Sequence, residues 1–262
     1  MEPARSRLTS YFWAWPAGLM LIVAMYQITR PALWADELAT WGAVRLGWGG
    51  LFRLLGNVDA VVGPYFTLMK AWTTVAGTST FALRLPSALA MVAATALLTI
   101  LGGRLAGRRV GLLAGFAFAL VPATSRYAQE ARPYAFVILF AIVATLALTR
   151  LLGRPSWPRA LLYGGSVAVL GAFHLVALLL LVAHGIVVGL RRDRARLIAW
   201  AVAAGAALVL LAPLAWLGHR QSAQISWLEP ATWRTLVGVP DTIFGVGVVG
   251  GFVIALGLLT VF

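Results

Sequence analysis

Residues 160–190, between Arg159 and Arg191, are 31 consecutive positions without a charged side chain, broken only by His174 and His184. A helix crosses roughly 30 Å of hydrocarbon with about 20 largely apolar residues. The run is too long for one crossing and suits two short helices that turn near His174. A single crossing would also separate Arg191, Arg192, Arg194 and Arg196 from Arg150, Arg154 and Arg159, against the tendency of basic residues to stay on the cytoplasmic face. Apolar runs at 12–29, 85–103, 133–149, 197–217 and 242–262, with a shorter one at 110–125, repeat the pattern. With 61% hydrophobic and only 11% charged residues, this is the composition of an all-α, polytopic membrane protein.

A net charge of +13 would suit a nucleic-acid binder if the basic residues formed one patch. They fall between apolar runs instead, in clusters at Arg104/Arg108/Arg109, at Arg150/Arg154/Arg159 and at Arg191 to Arg196. No nucleic-acid partner is expected, and the clusters read as a topology signal. With the N-terminus cytoplasmic they all lie inside, and eight spans result. Six of the eight acidic residues, Asp36, Glu37, Asp59, Glu130, Glu229 and Asp241, then lie outside. The weakly apolar segment 64–77 must run along the membrane surface. Arg5 and Arg7 precede the first run with no convincing small-x-small cleavage site, so an uncleaved first span is expected.

Absence of Cys excludes disulfides and thiolate metal sites. Neither His174 nor His184 has partners at metal-ligand spacing; they read as a turn residue and an inward-facing polar residue. "GVGVVG", Gly245 to Gly250, fits a dinucleotide-binding pattern, but no strand precedes it and its glycines suit close helix packing instead.

Two stretches carry chemistry. "PALWADELATWGAVRLGW" reads as an interfacial helix whose Trp34, Leu38, Trp41, Arg45 and Trp48 form one stripe, with Asp36 opposite. Its acids, Asp36 and Glu37, suit either a helix first turn or a membrane-facing cavity. "RYAQEARPY" places Arg126 and Glu130 at i, i+4, with Pro133 at the start of the next helix. It reads as an ordinary helix boundary or as an anion site with guanidinium forks for a phosphate. The connector 218–240 is polar and aromatic enough to cover a carbohydrate or a lipid headgroup. A transporter or lipid flippase is the rival class, but its ionisable residues would sit within the spans, which here hold almost none.

Taken together, "ADE" after the first span, "DAVVGPYF" near 59–66, "FALRLPSALA" at 81–90 and "SRYAQEARPYA" at 125–135 resemble the GT-C membrane glycosyltransferases. Within that class they are similar to the dolichyl- or polyprenyl-phosphate-mannose-dependent protein mannosyltransferase group and its bacterial relatives. The resemblance covers 30–150 well and the rest weakly. It implies a GT-C-like bundle of about eight transmembrane helices with interfacial helices in the first extracytoplasmic loop. It also implies inverting transfer of mannose or a similar sugar from a polyprenyl-phosphate donor to a hydroxyl of a protein, lipid or polysaccharide acceptor, on the outer face of the cell membrane. By the same resemblance Asp36 is the catalytic base, and Glu37, Arg84, Arg126, Glu130 and Arg132 bind substrate. No cofactor is implied with certainty, and a divalent cation is left open. Where relatives often carry His, this chain has Val62. One membrane-embedded domain over 1–262 is expected, and because relatives continue through more helices, a cut at its C-terminus stays open.

Overall fold

The 31-residue uncharged run forms two helical segments, and His174 separates them. In the computed structural model, which describes residues 11–226 and 232–233, the regular elements among the described residues are all helices, joined by short turns and extended links, without strands. The helices are α1 (Ala14–Met25), α2 (Ala35–Arg45), α3 (Trp48–Asn57), α4 (Gly63–Ala76), α5 (Thr80–Ala106), α6 (Arg108–Leu120), α7 (Pro122–Ala128), α8 (Tyr134–Gly153), α9 (Trp157–Phe173), α10 (Leu180–Leu190) and α11 (Arg194–Arg220). Short 3-10 turns at Ala60–Val62 and Leu175–Leu179 precede α4 and α10. Residues through Gln221 form one compact unit; Ser222–Phe262 form a second, in which a 3-10 turn, Ser222–Ile225, is described.

Three helices, α5, α8 and α11, are long and apolar enough to cross a membrane, and α6 with α7 makes a fourth if that bent pair is one span. These apolar helices make the chain a multi-pass membrane protein. Its first apolar run is shorter as a helix than as a sequence. Helix α1 has 12 residues, about 18 Å at 1.5 Å per residue, and the chain leaves it through Gln27 at a positive φ of 53°. The run at 242–262 and most of the connector 218–240 lie outside the described residues.

Proline explains the irregular helices. Pro86 lies inside α5 and cannot donate to the Ala82 carbonyl one turn back. The Trp72 indole N–H takes that carbonyl instead, at 2.8 Å. Pro122 likewise leaves the Phe118 carbonyl without its helical donor. The Thr124 hydroxyl fills in at 2.5 Å, and the chain bends by 68° between α6 and α7.

Glycines set the α5–α6 contact. A Cβ on Gly111 would press on the Thr99 carbonyl and lie 2.6 Å from the Gly103 nitrogen; one on Gly115 would strike the Thr99 hydroxyl and come within 2.8 Å of Pro16. Small residues of this kind let transmembrane backbones approach closely. Gly111→Val should cost about 1–3 kcal/mol through overpacking and lower the thermal midpoint in detergent, whereas Gly18→Ala, with open space around its Cβ, should not.

In the second half, α8, α9, α10 and α11 surround a polar chain. The Trp200 indole N–H donates to the Tyr163 hydroxyl (2.9 Å), which lies 3.0 Å from His184 Nδ1. His184 Nε2 lies 3.2 Å from the Thr145 hydroxyl, whose proton goes to the Ala141 carbonyl. Thr145 is thereby left as acceptor, which assigns the proton to Nε2 and makes Nδ1 the acceptor for Tyr163. Each of these four linked side chains, Trp200, Tyr163, His184 and Thr145, has its polar atoms paired, as an apolar surround requires. Tyr163→Phe breaks it at two bonds and should cost about 1–2 kcal/mol, read as a lowered unfolding midpoint.

Candidate active site

The first loop is not the single long helix its stripe suggests. Helix α2 ends at Arg45, Leu46 and Gly47 are extended, and Trp48 begins α3. Glycine is a poor helix former, and "LGWGG" supplies three of them at the break. Trp34 and Leu38 are exposed, while Trp41 packs on the core beneath the Arg45 guanidinium, 4.3 Å from its ring centre. Trp48 stacks on Phe52 of α3. Lys70 of α4 donates to the Val44 carbonyl at the end of α2 (2.8 Å), a favourable place for a cation at a helix C-terminus.

The adjacent acids of α2 have opposite surroundings. Glu37 is fully buried. Arg84 holds both its oxygens, Nε to Oε1 at 2.8 Å and Nη2 to Oε2 at 2.6 Å. The Ala131 N–H adds a bond to Oε1 (2.8 Å) and the Trp34 N–H reaches Oε2 (3.4 Å). Arg84 spends its remaining donors on the Ile28, Pro31 and Ala32 carbonyls. Its guanidinium has five donors, and all five are engaged within the protein. Glu37 and Arg84, both expected to bind substrate, are buried against each other, with their polar atoms engaged within the protein. Asp36 is different. Its side chain is 41% exposed, and its Oδ2 lies 3.4 Å from Arg132 Nη2.

The stretch 129–132 explains how distant segments converge. Gln129 donates from its side chain to the Val23, Ala24 and Tyr26 carbonyls, tying off α1. Glu130 accepts from Arg126 Nε at 2.7 Å. Ala131 donates its N–H to Glu37, and its carbonyl accepts from the Thr40 hydroxyl at 2.9 Å. Arg132, pinned next to that double staple, reaches both the carbonyl and the carboxylate of Asp36. Its Nε is buried without a partner, as is Glu130 Oε2. Arg126 is largely exposed and passes over the Trp34 ring at 5.8 Å. Its hydrogen bond to Glu130 holds the guanidinium above its ordinary pKa.

Beside Arg132 opens a cavity of about 260 Å³, walled by Val61, Val62, Tyr134, Phe173, His174 and Val176 among others. Gln221 fixes the wall that carries Val61 and Val62: it accepts from the Ala60 N–H (2.9 Å) and donates to the Leu55 carbonyl (3.0 Å). His174 caps the end of α9, its ring 6.3 Å from that of Tyr134. Burial lowers the His174 pKa, and the positive charge of Arg132 pushes the same way. Among the described residues no group of three or more His, Cys, Asp or Glu could hold a metal ion.

A buried Arg84, with an Arg-Glu pair and a free guanidinium edge on the connector before α8, lies within a stretch that also matches a known family. The family model described as dolichyl-phosphate-mannose-protein mannosyltransferase matches residues 60–216. The chain belongs to this family. No curated protein and no solved structure matches it. Membership makes the chain a glycosyltransferase of the mannosyltransferase type. The matched stretch of this mannosyltransferase-family chain contains Arg84, Arg126, Glu130, Arg132 and His174; Asp36 and Glu37 precede it. Thr40 and His174 were not singled out as site residues. Thr40 lies three positions after Glu37 on the same face of α2, a readable signal, whereas His174 joins the cavity only through the packing of α9 against α8.

Proposed function

We propose that this protein transfers a sugar, mannose or a close relative, from a polyprenyl-phosphate donor to an acceptor hydroxyl, with inversion, on the extracytoplasmic face of the cell membrane. The observation that carries this reading is the half-exposed Asp36 carboxylate beside a guanidinium with an unpaired buried Nε. Asp36 accepts the proton of the acceptor hydroxyl as its oxygen attacks sugar C1. The C1–O bond to phosphate breaks, its electron pair goes to the phosphate oxygen, and Arg132 stabilises that charge. Arg126, exposed and paired to Glu130, supports the donor from the rim. Glu37 and Arg84 act as positioning residues, since together with Ala131 they set the distance between Asp36 and Arg132. The apolar cavity wall suits the first units of the polyprenyl chain.

Eight spans with a cytoplasmic N-terminus belong to the same proposal, because that topology puts the loops carrying Asp36 and Arg132 on one outer face. Membership of a transferase family supports an enzyme over a transporter. The test is transfer of radiolabelled mannose from polyprenyl phosphate into acceptors in membranes that contain the protein. Label should appear in acceptor material only when the protein is present. Equal labelling with and without it would sink the reading.

A further inference from the structure

The cavity beside Arg132 has two cationic candidates, and the proposed reaction uses one. His174 occupies the break between α9 and the 175–179 turn, its backbone N–H bonded to the Leu170 carbonyl, and it lines the same cavity as Arg132. The ionisable groups on the cavity wall are Arg132 and Tyr134, from the segment that begins α8, and His174 itself. The 60–62 turn contributes Val61 and Val62, and the segment after His174 contributes Leu175 and Val176, all apolar. An imidazole placed beside a guanidinium and apolar walls is held neutral while the cavity is empty, and the direction of its pKa agrees. An anion in the cavity reverses that balance, because it screens Arg132 and offers the imidazolium a partner.

We propose that His174 is a second phosphate-recognition residue: neutral in the empty cavity, it takes up one proton from solvent when a phosphate monoester on an apolar chain binds beside Arg132. This deepens the transferase reading and rests on it. A sugar-bearing polyprenyl phosphate is a diester with one negative charge. The monoester left after transfer has a second pKa of about 6 and carries nearly two at neutral pH. The product, more than the donor, draws the proton onto His174. Acid should therefore slow product release and strengthen product inhibition.

The experiment is calorimetric titration of the purified chain in detergent with farnesyl phosphate between pH 7.0 and 8.5, in buffers of different ionisation heat. Over that range the monoester is mostly dianionic already, so proton uptake reports on the protein. Affinity should rise by up to about tenfold for each pH unit lowered, with about one proton taken up. His174→Gln should bind with affinity nearly independent of pH, and His174→Asn serves if that variant folds poorly. A flat profile for the parent chain, or an unchanged slope in the variants, would overturn the role of His174 while leaving the transferase reading in place. Inorganic phosphate bound as tightly as farnesyl phosphate would replace the lipid ligand with free phosphate and overturn the proposal. Farnesol bound as tightly would show that phosphate is not recognised. No binding of farnesyl phosphate at any pH would bring down both this inference and the lipid-phosphate donor.

Discussion

Asp36→Asn should lower sugar transfer by about 10²–10⁴-fold, the usual contribution of a positioned general base, while the variant folds and melts like the parent. The Asp36 side chain is 41% exposed and its contact with Arg132 is long, at 3.4 Å. An amide keeps the shape and loses the ability to accept the acceptor's proton. With its carboxylate open to solvent and a long contact, this pair should contribute only about 1 kcal/mol to stability, so the effect should fall on kcat and not on yield. Transfer rates at matched expression, together with an unfolding midpoint, check both halves. Parent-level activity in Asp36→Asn would remove it as the base.

Arg84→Met should have the opposite phenotype, a loss of folded protein. It leaves the Glu37 carboxylate fully buried without its guanidinium, and removing one partner of a buried pair costs about 3–5 kcal/mol. It also frees the Ile28, Pro31 and Ala32 carbonyls, which Arg84 holds at 2.7, 3.0 and 3.2 Å. Set against the 5–15 kcal/mol that typically separates folded from unfolded domains, that loss should empty the detergent-soluble fraction. Adding Glu37→Leu to Arg84→Met should recover part of the stability, since the uncompensated charge is gone. The recovery should stay incomplete, because the three carbonyls remain without donors. Additive losses in the double variant would show that the two side chains do not act as a pair. These two outcomes together would separate chemistry from architecture on one helix turn, Asp36 through activity and the Glu37 partner through folding.

Much of this was legible before any coordinates. A run of 31 uncharged residues with a histidine inside it predicts two helical segments with a break near His174, and that is where α9 ends. The i, i+4 spacing of Arg126 and Glu130 predicts their ion pair, which forms at 2.7 Å. The acidic pair of the first loop and the Arg-Glu-Arg cluster of the second stood out in so apolar a chain, and the structure brings the two stretches together where Arg132 meets Asp36.

Periodicity failed where short-range rules compete. The aromatic stripe from Trp34 to Trp48 looked continuous, but the glycines at 47, 49 and 50 let the chain break between Arg45 and Trp48. What the amino-acid order alone determined is the membrane class, the helix breaks and the identity of the two polar stretches, since these follow from local hydropathy and backbone chemistry. Which acid is buried and which is available was decided only in three dimensions. Asp36 and Glu37 are chemically near-identical neighbours, and what separates them is the direction of each side chain from α2: Glu37 turns toward Arg84 and the Ala131 N–H, 47 and 94 residues away, while Asp36 meets Arg132 at the edge of solvent. No pattern read along one segment contains that distinction, because it resides in contacts between segments that only the packed helices bring together.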